Sequence, residues 1–192
     1  MMNRREAIGR VGLIIGGTVV GAEAFLSGCA RPEVPAGTGA ISADLIPFFD
    51  EVGETILPTT AKSPGAKAAN IGEFMNVIVT DCYDEANKRV FSSAEQAINE
   101  VSREMYDRGF MELTPEERHD VLVQIDEDAQ SFEAAREDGT APHYFSLVKQ
   151  LTLWGFFTSE VGSKEALRYN PVPGRYEACI DYQEGDRAWA AI

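Results

Sequence analysis

The sequence predicts an all-α protein, a single-domain helical bundle followed by an irregular C-terminal tail rich in proline, glycine and tyrosine. Apolar residues recur at three- and four-residue spacing in several segments, which is typical of amphipathic helices. No stretch of useful length alternates apolar and polar residues as a half-buried strand would. The tail sequence Asn170-Pro171-Val172-Pro173-Gly174 is incompatible with regular structure, because proline and glycine interrupt helices and strands alike. A chain of 192 residues is long enough for one domain with a hydrophobic core.

Residues 142–158 are predicted to form the central helix, because they are the longest strongly apolar run after the N-terminal leader. One face of this helix is formed at helical spacing by Tyr144, Leu147, Val148, Leu151 and Trp154. Leu153, Phe156 and Phe157 point away from that face, and a helix that is apolar on all sides is buried on more than one side. Two interpretations stay open. The whole helix is core, as apolar stripes usually are, or Trp154, Phe156 and Phe157 face a partner protein.

Three helices are expected before residue 110. The first runs from Ser42, a residue type that caps helices, to about residue 57. The second covers about 71–83. The third covers about 85–108, where Ser92-x-x-Glu95 could form a capping box that divides it into two helices. Gly109 is the expected stop of that segment.

A further helix has the clearest start in the sequence. In Thr114-Pro115-Glu116-Glu117, threonine takes the capping position, proline the first helical position and glutamate the third. We expect this helix to reach about Ala129, followed by a polar loop and the central helix. After Gly162, four aromatic residues of the tail are expected to cover the bundle: Tyr169, Tyr176, Tyr182 and Trp189.

The charge of the chain excludes one class of partner. The net charge is −14, from 17 basic and 31 acidic side chains. The first 28 residues contain three arginines and two glutamates, so the rest of the chain carries the whole acidic excess. A body this acidic repels phosphate backbones, and we therefore expect no binding to nucleic acid.

Residues 1–28 are predicted to be an export signal. Arg4 and Arg5 form a twin-arginine pair just ahead of a modest apolar region, residues 11–22. That region contains four glycines and is shorter than the roughly 20 apolar residues that a membrane span needs. The alternative is an ordinary secretory leader that happens to contain two arginines.

The leader ends on Leu26-Ser27-Gly28-Cys29, which resembles a bacterial lipobox. Cleavage there would leave Cys29 as a lipid-modified N-terminus that anchors the protein to a membrane. Residues 29–41 are rich in proline and glycine and are predicted to be a tether, while residues 42–192 form the helical domain. The alternative is a chance cysteine near a normal cleavage site.

Two cysteines remain if Cys29 carries lipid. Exported proteins reach an oxidising compartment, where a residual pair of cysteines usually bonds. We therefore predict a disulfide between Cys82 and Cys179 that ties the tail to the second helix. The alternative is two buried cysteines that act as small apolar side chains.

The sequence displays no catalytic, cofactor-binding or metal-binding motif. Glu116-x-x-His119 matches half of a di-iron carboxylate motif, but Thr140 stands where the second half would need a glutamate before His143. Neither a nucleophile-elbow serine motif nor a glycine-rich nucleotide loop is present. There is also no C-x-x-C-H for covalent haem.

Several sequence blocks, in order along the chain, resemble the gluconate 2-dehydrogenase subunit 3 family. They span most of residues 42–182 and are Ile56-Leu57-Pro58-Thr59, Pro64-Gly65-Ala66, Ile71-Gly72-Glu73-Phe74, Leu113-Thr114-Pro115-Glu116-Glu117 and, most specific, Tyr144-Phe145 followed by Gly155-Phe156-Phe157-Thr158-Ser159. Each block alone is a weak signal, and their order beside the twin-arginine leader strengthens it.

Proteins of that family are small subunits of membrane-associated sugar or alcohol dehydrogenases. Their catalytic partner is a flavin-dependent large subunit that holds FAD, often accompanied by a multihaem c-type cytochrome. The small subunit supports maturation, and its leader can carry a leaderless flavoprotein across the membrane. The resemblance therefore implies an accessory, export-escort subunit on the periplasmic or envelope side, with no cofactor of its own.

Two other hypotheses remain beside this one. The chain could be a stand-alone, lipid-anchored binding or structural protein of the cell envelope. It could also be an enzyme whose site lies around His143, Tyr144 and the tail tyrosines. The three hypotheses differ in whether a flavoprotein accompanies the chain, and in whether a metal or flavin copurifies with the chain alone.

Overall fold

The computed structural model describes residues 41–172, 174–175 and 179–190. These residues form six α-helices and no β-strand, which confirms the all-α class. The helices are α1 (Ile46–Ile56), α2 (Ile71–Cys82), α3 (Glu85–Ser92), α4 (Ala94–Tyr106), α5 (Pro115–Ala135) and α6 (Tyr144–Thr158). Short 3₁₀ helices cover Ala43–Leu45, Ala66–Ala69 and Phe110–Glu112, and a π-helical turn covers Gly162–Ala166. Within these described ranges, none of the helices has the length and apolar character to cross a membrane.

The predicted signal and anchor lie outside the described residues. Arg4, Arg5 and Cys29 all fall in the first 40 residues, so the twin-arginine and lipid-anchor predictions stay predictions. The described chain begins at Ile41, whose backbone N–H donates to Asn76 Oδ1 at 3.1 Å. That bond fixes the entry of the helical domain beside α2.

Helix α6 is the centre of the bundle, as predicted. It packs against each of the other five helices. Its buried apolar side chains are Phe145, Leu147, Val148, Leu151 and Phe156. His143 caps its N-terminus, because the imidazole Nδ1 accepts a hydrogen bond from the backbone N–H of Phe145 at 3.2 Å. The helix therefore begins two residues after the expected boundary at Pro142.

Four phenylalanines from α1, α3 and the Phe110–Glu112 turn fill the core beside α6. Phe49 stacks on Phe91 with ring centroids 5.0 Å apart, and Phe48 meets Phe49 and Phe110 edge-on at 5.4 and 5.5 Å. All four side chains are buried. Aromatic pairs in these geometries add to the stabilisation that burial of the rings already provides.

The expected third helix is two helices, with the break at Ser93. The predicted capping box is not what divides them. Ser92 Oγ donates to the Lys88 carbonyl at 2.8 Å, and Ser93 Oγ donates to the Val90 carbonyl at 2.7 Å. These hydrogen bonds give partners to backbone carbonyls at the end of α3, since serine hydroxyls readily donate to carbonyls in the preceding turn.

The predicted helix stop at Gly109 is wrong. Asp107, with φ of 56°, is the left-handed residue that ends the helix, and its N–H donates to the Arg103 carbonyl at 2.9 Å. Gly109 has φ of −72° and instead precedes the Phe110–Glu112 turn. Aspartate tolerates the left-handed region better than most non-glycine residues, which explains why Gly109 is not needed there.

The start of α5 is confirmed in detail. The Thr114 N–H donates to Glu117 Oε2 at 2.8 Å, and the Glu117 N–H donates to Thr114 Oγ1 at 3.3 Å, which completes a capping box. The helix then extends to Ala135, six residues beyond the expected end at Ala129. None of the six added residues is buried, and the exposed Phe132 is the one large apolar side chain among them, so no buried stripe marks the end of the helix.

The predicted disulfide is not formed. Cys82 and Cys179 are both free thiols and both exposed. The tail is held elsewhere, because Arg168 N donates to the Ala188 carbonyl and Ala190 N to the Arg168 carbonyl, each at 2.8 Å. The expected aromatic cover is also wrong for Tyr169, Tyr182 and Trp189, which are exposed, and Tyr176 lies outside the described residues.

Candidate partner-binding surface

The second half of α6 exposes two of the three aromatic residues predicted to face a partner. Trp154 is 50% exposed and Phe157 41% exposed, whereas Phe156 is only 2% exposed. The assignment of Phe156 to the interface is therefore wrong. Its ring lies in the core, because a helix with apolar residues all round presents some of them inward and some outward. Trp154, the last residue of the predicted buried stripe, lies at the surface.

Helix α2 continues this apolar surface. Phe74 is half-buried and its ring meets that of Trp154 edge-on, with centroids 5.6 Å apart. Val77, one helical turn further along α2, is 47% exposed. Leu153 is exposed beside Trp154 and lies one turn before Phe157. We call these five residues the α2–α6 surface: Phe74, Val77, Leu153, Trp154 and Phe157.

The sequence alone identified only part of this surface. Phe74 lies at helical spacing with Ile71 and Ile78 in an apolar stripe of α2, and Val77 falls outside that stripe. The available signal for Val77 is its position off that stripe, where a large apolar side chain has no place in the core. The contact between Phe74 and Trp154 could not be predicted, because it depends on how α2 and α6 cross.

Two glycines allow the helices to approach closely. A Cβ at Gly155 of α6 would lie 2.6 Å from the Phe74 ring and 3.0 Å from Ile71. A Cβ at Gly72 of α2 would lie 2.4 Å from the Ile46 carbonyl oxygen of α1. The blocks Ile71-Gly72-Glu73-Phe74 and Gly155-Phe156-Phe157 therefore meet in space, and both glycines serve helix packing.

Glu54 organises the loop between α1 and α2. Its carboxylate accepts hydrogen bonds from Thr59 N and Oγ1, at 2.8 and 2.7 Å, and from Lys67 N at 3.0 Å. Ala66 N also donates to the Leu57 carbonyl at 2.9 Å. The blocks Ile56-Leu57-Pro58-Thr59 and Pro64-Gly65-Ala66 thus form one closed loop, whose role is structural.

A second ionic group joins α1 to α5. Arg118 pairs with Glu51 and donates to the carbonyls of Phe110 at 3.1 Å and Met111 at 2.8 Å. Lys67 Nζ lies 2.6 Å from the other oxygen of Glu51. Partial burial works to raise the pKa of the Glu51 carboxyl, but the hydrogen bond from Lys67 and the charge of Arg118 hold it below its ordinary value.

His143 and Tyr144 are accounted for by structural roles. Burial lowers the pKa of His143, which favours the neutral ring that accepts the Phe145 N–H. Burial also raises the pKa of Tyr144 to about 12. The His143 ring lies 4.3 Å from that of Tyr144 and 5.6 Å from that of Phe132. The backbone N–H of His143 donates to Glu133 Oε1 at 2.9 Å, and this hydrogen bond connects the loop before α6 to α5.

Glu116 and His119, the half-motif for a di-iron site, are both exposed on α5. Among the residues that the structure describes, no group of three or more His, Cys, Asp or Glu side chains is arranged to hold a metal ion. The feature that stands out chemically is therefore the α2–α6 surface. Exposed apolar side chains that lie together in this way are typical of protein interaction sites.

The comparison with protein families agrees with the sequence blocks. The family model described as gluconate 2-dehydrogenase subunit 3 matches residues 43–174, a range that contains all six helices. No curated protein and no solved structure shows significant similarity to the chain. The matched range includes both helices of the α2–α6 surface.

Proposed function

Because this chain belongs to the gluconate 2-dehydrogenase subunit 3 family, we propose that it is the non-catalytic small subunit of a membrane-associated dehydrogenase. The reaction is assigned to the large subunit, a flavin-dependent sugar or alcohol dehydrogenase that holds FAD. A c-type cytochrome subunit would then pass the electrons on. The family match is the observation that carries this proposal.

The α2–α6 surface supports a subunit role. Trp154 and Phe157 place large apolar groups in solvent, which costs free energy unless another surface covers them. Tryptophan and other aromatic residues are enriched where protein interfaces are tightest. The small subunit would use this contact to stabilise the catalytic subunit.

Export by escort is the second element of the proposal. The twin-arginine route moves proteins that are already folded, so a catalytic subunit without its own leader could cross the membrane while bound to this chain. Arg4 and Arg5 would then direct both subunits to the periplasmic or envelope side. Lipid on Cys29 would hold the complex at the membrane.

Affinity purification of the full-length, C-terminally tagged chain from detergent-solubilised membranes tests this proposal. We expect a flavin-dependent dehydrogenase to copurify with it, at a fixed ratio and with one FAD for each large subunit. A chain that purifies alone, as a stable monomer, would contradict the subunit role. It would favour the stand-alone, lipid-anchored envelope protein instead.

The escort role has its own test in the same strain. Replacing Arg4 and Arg5 together by lysine should leave both this chain and the dehydrogenase in the cytoplasm, measured by immunoblot of cell fractions. Normal export of the dehydrogenase in that variant would refute the escort role, and the subunit role would still stand.

A further inference from the structure

We infer that the α2–α6 surface is the docking site for the catalytic subunit, and that the face of the catalytic subunit is an apolar strip flanked by basic side chains. This inference rests on the proposed function, since it takes the dehydrogenase subunit as the occupant. It adds the location of the contact and the chemistry of the partner's face.

The first argument is the nature and continuity of the exposed groups. Trp154, Phe157 and Leu153 share one side of the second half of α6, at spacings of three and four residues. Phe74 and Val77 extend the patch across the contact between α2 and α6. A tryptophan at the middle of an apolar patch is the usual arrangement of an interface hot spot.

The second argument is that the patch is ordered before a partner arrives. The edge-on contact with Phe74 holds the Trp154 ring. Phe74 in turn lies directly against the α6 backbone, in space that a side chain at Gly155 would fill. Binding therefore requires little new ordering of these side chains, which lowers the entropic cost of association.

The third argument identifies the occupant by charge. Glu73 and Asp81 lie one turn before and one turn after Val77, on the same side of α2, and both are exposed. Neither forms an ion pair with any residue that the structure describes. In a chain with net charge −14, these acids oppose a second copy of itself and favour a partner face that carries lysine or arginine beside its apolar strip.

Binding of the purified full-length chain to the purified catalytic subunit, measured by surface plasmon resonance, tests the inference. Trp154→Ala and Phe157→Ser should each weaken the affinity by about 30-fold, as expected for truncation of a hot-spot aromatic. Phe132→Ser is the matched control, because Phe132 is 42% exposed but lies on α5 against His143. It should leave the affinity within about twofold of wild type.

The charge argument has a separate readout. Replacing both Glu73 and Asp81 by lysine should slow association at low salt, and raising the salt concentration should shrink the difference from wild type. Circular dichroism shows whether each variant is folded. If Trp154→Ala unfolds the chain, Phe157→Ser and the double lysine variant decide the outcome.

The outcomes separate this inference from the proposed function. If wild type binds the catalytic subunit and the aromatic variants bind equally well, the docking site lies elsewhere and the subunit role remains. If wild type binds no flavin-dependent dehydrogenase, both fail. If the aromatic variants instead abolish a dimer of this chain seen by sedimentation, a second copy is the occupant and the inference is overturned.

Discussion

The two halves of α6 use similar residues for different purposes. In the first half, Phe145, Val148 and Leu151 are buried, and the polar side chain of Lys149 pairs with Asp126 of α5 at 2.6 Å. In the second half, Trp154 and Phe157 are exposed, and Trp154 contacts Phe74 of α2. The apolar side chains of the first half are thus buried by other parts of this chain. In the second half, the described residues leave Trp154 and Phe157 partly uncovered. The proposed docking site therefore lies at one end of a helix whose other end is core.

The largest difference between the halves should appear in stability. Phe145→Ala should lower the free energy of unfolding by about 3–5 kcal/mol, because a buried phenylalanine leaves both lost burial and a cavity. Phe157→Ala should lower it by less than about 1 kcal/mol, since the ring is already partly in water. Urea unfolding of the two variants measures both values. Equal losses would show that the two halves do not differ.

Gly155→Ala sharpens the comparison by changing the contact between α6 and α2. Overpacking against Phe74 should cost about 1–3 kcal/mol, while the better helix propensity of alanine returns up to about 1 kcal/mol. We therefore expect a net destabilisation of up to about 2 kcal/mol, measured by thermal or urea unfolding.

The origin of that loss can be checked by a double-mutant cycle. In a Phe74→Ala background the new methyl group has room, so Gly155→Ala should cost less than it does in wild type. An unchanged cost in that background would show that Gly155 is needed for a reason other than contact with Phe74.

The smallest expected effect is the pH dependence of stability that comes from His143, the N-terminal cap of α6. The folded chain holds the pKa of His143 below the ordinary value of 6.5, so the unfolded chain binds more protons between the two pKa values. The neutral cap contributes its full stability above pH 6.5. This stability is lost as the pH falls from 6.5 toward the lower pKa of His143 in the folded chain. Burial drives this shift, and the charges of Glu133 and Asp128 oppose it.

His143→Asn should flatten this part of the stability profile, because asparagine caps a helix without titrating. His119→Asn is the control, since His119 is exposed on α5. Urea unfolding between pH 7.5 and pH 5 measures the slopes. That pH range lies above 4.5, the ordinary pKa of a glutamate. The pKa of Glu51 is lower still, so the stability contributed by its charged carboxylate is lost only at lower pH. A wild-type slope that survives His143→Asn would refute the assignment.

Local signals in the sequence predicted much of the fold. The capping box joins Thr114 and Glu117, which are three positions apart, so no knowledge of the rest of the chain was needed to locate the start of α5. The central position of α6 also followed from the sequence, because a helix that is apolar on most sides usually packs against several other helices. The sequence left open a break between α3 and α4 near Ser92, and the structure has the break at Ser93 without the capping box that suggested it.

The exposed surface could not be predicted in the same way. Periodicity shows which side chains share a helical face but not what covers that face. It placed Trp154 in the main apolar stripe and Phe156 outside it, whereas Trp154 is exposed and Phe156 is buried. Their fates differ because α2 crosses α6 at Gly155, a contact between residues far apart in the chain. The disulfide prediction failed for a related reason, since compartment and cysteine number do not place Cys82 near Cys179.

Hydrogen–deuterium exchange of the chain alone and in complex with the catalytic subunit tests the central claim most directly, because it locates the contact without mutation. The account predicts slower exchange in the complex within residues 73–81 and 153–158, with little change in the middle of α4 and α5. Slowed exchange confined to α4 or α5, or no change at residues 153–158, would contradict it.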